Sequence, residues 1–82
     1  MELYTSNLCP RCKQAQTMLR ELIDELGPQR YRLEIIDVVE HIDRSVEQGI
    51  LRTPSLVIDR QLIGALPDRH TLKKQLQRHG RQ

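Results

Sequence analysis

The two cysteines of this chain stand as Cys9-Pro10-Arg11-Cys12, between a short strand-like segment and a long helical stripe. That placement constrains the fold more than any other feature. Residues 2–6, with Leu3 and Tyr4, read as a strand. After the cysteines, Ala15, Met18, Leu19, Leu22, Ile23 and Leu26 recur at the i, i+3, i+4, i+7 spacing of one helix face. Lys13, Gln14, Gln16, Arg20, Glu21, Asp24 and Glu25 fill the opposite face. Pro10 suits the first helical turn, where its missing N–H has no intrahelical acceptor anyway. Gly27-Pro28 terminates the helix.

A bridge between Cys9 and Cys12 would close a very short loop, so it removes little entropy from the unfolded chain. Two cysteines are too few for a disulfide scaffold, and in a reducing cytosol such a bridge would not persist as a brace. The pair therefore reads as chemical. Thiol–disulfide exchange needs one thiolate that attacks and a second thiol that resolves the mixed disulfide. The attacking thiol must ionise below the free value of about 8.5. Cys9 at the N-cap would meet the unpaired N–H groups and positive end of the helix. Arg11 and Lys13 add positive charge, and Cys12, one turn on, can donate its S–H to the Cys9 thiolate. Cys12 lies further inside the helix, so Cys9 is assigned as nucleophile and Cys12 as resolving thiol. Two other readings are half of a zinc site and a pair of ordinary buried cysteines. Zinc takes four ligands, and only His41, His70 and His79 remain to supply them, without a second CxxC or an HxxxH.

The rest of the chain alternates strand and helix. Residues 31–39 form a β-branched run that becomes apolar on both faces, as expected of a central strand. Residues 41–48 read as a weaker helix with Ile42 and Val46 inward, closed by Gly49. Pro54 to Ile58 is a strand, Asp59-Arg60 a tight turn, and Gln61 to Ile63 the hairpin partner. Gly64 through Pro67 make a loop, and Asp68 caps a last helix that buries Leu72 and Leu76 and ends at Gly80. The order is β-α-β-α-β-β-α in an α/β chain. The first two strands are joined by a crossover helix and should be parallel. The expected architecture is a four-stranded mixed sheet flanked by helices on both faces, in one domain over residues 1–82.

Composition limits the core and the partners. Of 82 residues 38% are hydrophobic, and Tyr4 and Tyr31 are the only aromatics. Thirteen basic and eleven acidic side chains leave a net charge of +2, interspersed along the chain. No basic tail or aromatic interleaving points to nucleic acid. The apolar runs fall far short of the ~20 residues needed to span a bilayer. Residues 1–4 already read as a strand and not as a signal peptide, so a cytoplasmic chain is expected. Asp37 reads as a solvent-facing strand-end residue, with a role in tuning a thiol as the alternative. Tyr4 and Tyr31 are expected at the core edge, and His41, His70 and His79 at the surface, with His79 in a last helical turn that favours positive charge.

Leu3-Tyr4-Thr5, then Cys9-Pro10-Arg11-Cys12-Lys13-Gln14-Ala15, resembles the thioredoxin-fold superfamily and, within it, the small glutaredoxin-like proteins. The resemblance covers essentially the whole chain and implies a minimal thioredoxin fold. Arg52-Thr53-Pro54-Ser55-Leu56-Val57 is its second anchor. In the family the proline opening the third strand is cis and faces the active cysteine. The resemblance thus implies a cis Pro54 and a Thr53 backbone that pairs with a bound peptide or glutathione, as in strand addition. Gly64-Ala65-Leu66-Pro67-Asp68 is similar to the family's Gly-Gly-x-x-Asp stretch. There the following helix receives a glutathione carboxylate, and Asp68 would contact the glutathione amino group. Arg11 stands where glutaredoxins carry an aromatic residue, and could steer anionic substrates. Ala65 stands where they carry a second glycine, so a positive φ there would be strained.

The resemblance implies a dithiol–disulfide oxidoreductase acting on protein disulfides, with Cys9 and Cys12 catalytic and Pro10, Arg11, Thr53, Pro54, Gly64 and Asp68 contacting substrate. No metal or cofactor is required. Glutathione, as co-substrate, or a thioredoxin-reductase-type flavoprotein would supply electrons, and a monomer is expected. A looser resemblance, through Ile36-Asp37-Val38, residues 50–56 and residues 63–69, is to the thioredoxin-like circadian clock protein KaiB. It implies an interaction module that does no thiol chemistry.

Overall fold

The computed structural model describes residues 1–79, with the backbone alone at His79. The elements follow the order expected: β1 (Glu2–Thr5), α1 (Pro10–Leu26), β2 (Glu34–Asp37), α2 (Ile42–Glu47), β3 (Ser55–Ile58), β4 (Gln61–Gly64) and α3 (Arg69–His79). The strands form one mixed sheet in the order β2-β1-β3-β4. β1 pairs parallel with β2, with Tyr4 opposite Ile36, and antiparallel with β3, with Tyr4 opposite Ser55. β3 and β4 form the hairpin. Its turn residues Asp59 and Arg60 both have positive φ, 51° and 67°. That is the twist a two-residue connection requires. This is a thioredoxin fold. The expected helix end at Gly80 and the charge expected at the His79 side chain lie outside the described residues.

Period-two alternation sends Leu3, Leu56 and Ile58 to one face of the sheet and Tyr4, Ile36 and Val57 to the other. On the first face α1 and α3 contribute Ala15, Leu19, Leu22, Leu72 and Leu76. Leu3, Leu19, Leu22, Leu56, Leu72 and Leu76 are completely buried. Each such side chain stabilises the fold by roughly 1.5–3 kcal/mol relative to exposure. Met18 and Leu26 close the margin of this layer, and the Tyr31 hydroxyl reaches it by donating to the Leu76 carbonyl at 2.8 Å. The second face is smaller, with Val38 and Ile50 packed against Tyr4, Ile36 and Val57. Tyr4 belongs to the core itself and not to its edge, being fully buried.

Arg44 on α2 ties this second face together. Glu2 and Glu34 are register neighbours on β1 and β2, two like charges side by side. Arg44 bridges them, with its guanidinium 2.6 Å from Glu2 and 3.2 Å from Glu34. Its hydrogen bond holds the Glu34 carboxyl below the usual range. Glu2 also accepts the Tyr4 hydroxyl at 2.9 Å. Burial, with Glu2 beside it, pushes the Tyr4 phenol up to about 12.

Three expectations need correction. The strand expected over 31–39 is confined to Glu34–Asp37, because its partner β1 offers only four residues to pair with. β2 is also an edge strand and not a central one. Its apolar character on both faces comes from the layers above and below the sheet, not from strands on both sides. Ile42 and Val46 do not face inward: they are 62% and 74% exposed, while Ser45 is the buried residue of α2. The Ser45 hydroxyl donates to the His41 carbonyl, and its own carbonyl accepts the Ile50 N–H. Ser45 can therefore be the buried side of α2 with its polar groups satisfied, and Ile42 and Val46 are left outward. Val46→Ala is consequently expected to change stability by no more than about 0.5 kcal/mol. A loss of 2 kcal/mol in a urea titration would return Val46 to the core.

Candidate active site

β1 ends at Thr5 and a four-residue connection, 6–9, leads into α1. Cys9 is the N-cap, with extended backbone (φ −118°, ψ 97°), and Pro10 occupies the first turn. The Cys12 N–H donates to the Cys9 carbonyl at 3.1 Å, which closes the first turn. Cys9 and Cys12 are joined by a disulfide, with their Cα atoms 5.3 Å apart. Cys12 is 2% exposed, whereas Cys9 is half-buried and reaches solvent. The first turn of α1 carries no acidic side chain, and Cys9 makes no side-chain capping bond. Arg11 and Lys13 are exposed on either side of Cys12. In the reduced state the helix end and these cations favour a thiolate on Cys9, with no carboxylate of the first turn opposing it.

A second wall comes from the loop before β3. The Thr53–Pro54 peptide is cis, as the family resemblance implied. The Ser55 hydroxyl donates to the Arg52 carbonyl, and the hydroxyls of Ser6 and Thr53 lie 3.4 Å apart. These contacts tie the loop to β3 and to the connection before Cys9. A third wall follows β4. Gly64 takes a positive φ of 87°, and Ala65 is not among the residues that do. The left-handed position thus falls on the glycine present, and the strain anticipated at Ala65 does not arise. Asp68 accepts the Thr71 N–H at 2.8 Å and caps α3. That bond holds its carboxyl below the usual range.

The three walls enclose a groove of about 340 Å³, lined by Arg11, Met18, Arg52, Pro54, Leu66 and Pro67 among others. Of the residues singled out from sequence, Arg11, Thr53 and Pro54 line it together. Pro10 is exposed on the first turn, and Gly64 and Asp68 bound the third wall without lining the groove. Sequence reasoning missed Arg52, Leu66 and Pro67, whose only signal was their position beside Thr53 and Gly64. Met18, expected in the core, packs against it and lines the groove as well. Asp37 serves the backbone: its carboxylate accepts the N–H groups of Val39 and Glu40 at 2.8 and 3.2 Å. His41 and His70 are exposed. Among the described residues no helix is long and apolar enough to cross a membrane. Nor do three or more His, Cys, Asp or Glu side chains gather there as a metal site would need.

The acid response of the fold follows from its carboxylates. Glu34, Asp68 and Glu25, the last through its hydrogen bond to Lys73, all have lowered folded values. A lowered value means stability that is present above the unfolded pKa of about 4 and is lost as pH falls through the folded one. Urea midpoints are expected to drop between pH 7 and pH 3, and Asp68→Asn should shrink that drop. A midpoint flat across the range would contradict the assignment.

Residues 1–77 match the thioredoxin domain family. A thioredoxin of Methanocaldococcus jannaschii is 37% identical over 67 residues, which cover 79% of this chain and 78% of that protein. A probable thioredoxin of Archaeoglobus fulgidus is 32% identical over 75 residues, covering 90% and 81%. The circadian clock oscillator protein KaiB of Prochlorococcus marinus is 34% identical over 74 residues, covering 84% of this chain and 63% of its own length. Among solved structures, the J-Trx1 fragment of ERdj5 superposes with a TM-score of 0.77 at 22% identity, over 99% of this chain and 42% of that one. That likeness speaks for the fold. Thioredoxin relatives together with the Cys9–Cys12 pair support thiol–disulfide exchange as the chemistry. By its sequence, its fold and its paired cysteines, the chain belongs to the thioredoxin-domain family.

Proposed function

We propose that this chain reduces disulfides in proteins, with Cys9 as nucleophile and Cys12 as resolving thiol, and that a thioredoxin-reductase-type flavoprotein returns it to the dithiol. The observation that carries the reading is the asymmetry of the pair: Cys9 reaches solvent at the end of α1, while Cys12 is 2% exposed behind it. Only Cys9 is open to an incoming disulfide. In this reading the Thr53 main chain pairs with an extended segment of the partner, and Pro10, Arg11 and Pro54 border the contact. The protein acts as a cytoplasmic monomer without a resident cofactor. Gly64 and Asp68 become ligand contacts only if glutathione serves as co-substrate.

NADPH consumption in the presence of a disulfide substrate tests the donor. The oxidised chain is supplied with a thioredoxin reductase or, separately, with glutathione and glutathione reductase. Consumption that depends on Cys9 is expected with the first system. Consumption only with glutathione would replace the flavoprotein by glutathione and bring Gly64 and Asp68 into the site.

A second reading, a binding module whose cysteines are incidental, draws support from the similarity to KaiB. It requires Cys9→Ser to leave the chain's function in the cell intact, whereas an exchange protein loses it.

A further inference from the structure

The groove beside the disulfide carries two cations and no acid along its lining. Arg11 projects from the first turn of α1, and Arg52 stands on the facing loop; both are exposed. Neither is in an ion pair among the described residues, unlike Arg44, Arg69 and Lys73, which all have glutamate partners. The acids near the groove's margins are already engaged. Glu21 is held by Arg69 at 3.1 Å, and Asp68 caps α3. Two leucines are also exposed nearby in the chain: Leu8, preceding Cys9, is 94% exposed, and Leu51, preceding Arg52, is 95% exposed. Both belong to the loops that frame the groove.

We infer that this groove selects protein disulfides flanked by acidic residues, with Arg11 and Arg52 receiving the partner's carboxylates and Leu8 and Leu51 its apolar neighbours. The inference rests on the dithiol-exchange reading and adds a substrate class to it. The reduced Cys9 thiolate attacks the partner's disulfide, the partner's S–S bond breaks, and one partner sulfur leaves as thiolate and takes a proton from water. Cys12 loses its proton to solvent and attacks Cys9, which releases the second partner sulfur. Two electrons pass from the Cys9–Cys12 dithiol to the partner, and a dithiol reductant such as dithiothreitol restores the starting state.

The test uses three peptides, each with one intramolecular disulfide, flanked by Glu, Gln or Lys. The chain is reduced with dithiothreitol, desalted, and mixed with each peptide in a single turnover. The Glu-flanked peptide is expected to react about tenfold faster than the Lys-flanked one at low salt, and the gap should close near about 1 M salt, where screening is complete within a few ångströms. Arg52→Glu should abolish or invert that ratio. The ratio is measured within each variant, so a loss of folded protein cannot imitate the change. Equal rates with all three peptides would overturn the acidic preference and leave dithiol exchange standing. No reaction with the Gln-flanked peptide would overturn dithiol exchange itself, and the preference with it.

Discussion

Cys12→Ser, reduced and mixed with a disulfide substrate, is expected to accumulate a covalent adduct through Cys9, while Cys9→Ser forms none. The expectation follows from where α1 begins. Cys9 holds the N-cap position, and Pro10 leaves the first turn without an N–H of its own to pair. The remaining N–H groups and the helix dipole favour an anion at the cap. A serine hydroxyl there cannot replace a thiolate as nucleophile at neutral pH, so turnover by Cys9→Ser should fall to the uncatalysed background. Cys12→Ser keeps the attacking sulfur and loses the resolving one, so the mixed disulfide outlives the encounter. Mass spectrometry of the non-reduced mixture reads both results directly. An adduct on Cys9→Ser formed as fast as on Cys12→Ser would mean that Cys12, 2% exposed, is nonetheless the sulfur that partners meet. The nucleophile and resolving roles would then be reversed.

Much of this site is legible in the sequence because its chemistry and its local structure use the same residues. A strand, a CxxC pair and a seventeen-residue helix follow one another without interruption, so the place of Cys9 at the cap comes from the periodicity of Ala15, Leu19, Leu22 and Ile23. The cap at Asp68 and the hairpin turn at Asp59-Arg60 are equally local. What sequence does not reveal depends on contacts between distant segments. α2 spans six residues, under two turns, and so short a run has no dependable periodicity. Ile42 and Val46 look like an inward pair, yet Ser45 is the residue that is buried. The run before Asp37 looks like a central strand because an edge strand covered on both faces carries the same apolar pattern. The groove draws its walls from α1 and from the loops around residues 52–54 and 65–67. Thr53 and Pro54 take their roles from a family pattern, while Arg52, which stands in the same stretch with no role of its own there, shows its part only once the walls stand together.

Leu19→Ala should rank with Leu22→Ala as the most damaging truncations in the helix that carries the cysteines. Leu19 is fully buried in the layer formed by Leu3 and Leu56 from the sheet and Leu72 and Leu76 from α3. It therefore serves both contacts of α1 at once. Removing a leucine side chain from such a position costs about 2–5 kcal/mol, through lost burial and the cavity left behind. An 82-residue domain has a total stability of only roughly 4–12 kcal/mol, and this core has no Trp or Phe that could relax into the space. The urea midpoint should fall by about a sixth or more, and the melting temperature by about 10 °C or more. Exchange activity should decline with it, because the same packing aims the start of α1 at the Arg52-to-Pro54 loop. Val46→Ala, equal in kind but on an exposed face, is the control that isolates burial from loss of an apolar side chain. A Leu19→Ala midpoint within 10% of the wild type would show that α1 is held by something other than this layer, and the account of how Cys9 is positioned would have to change.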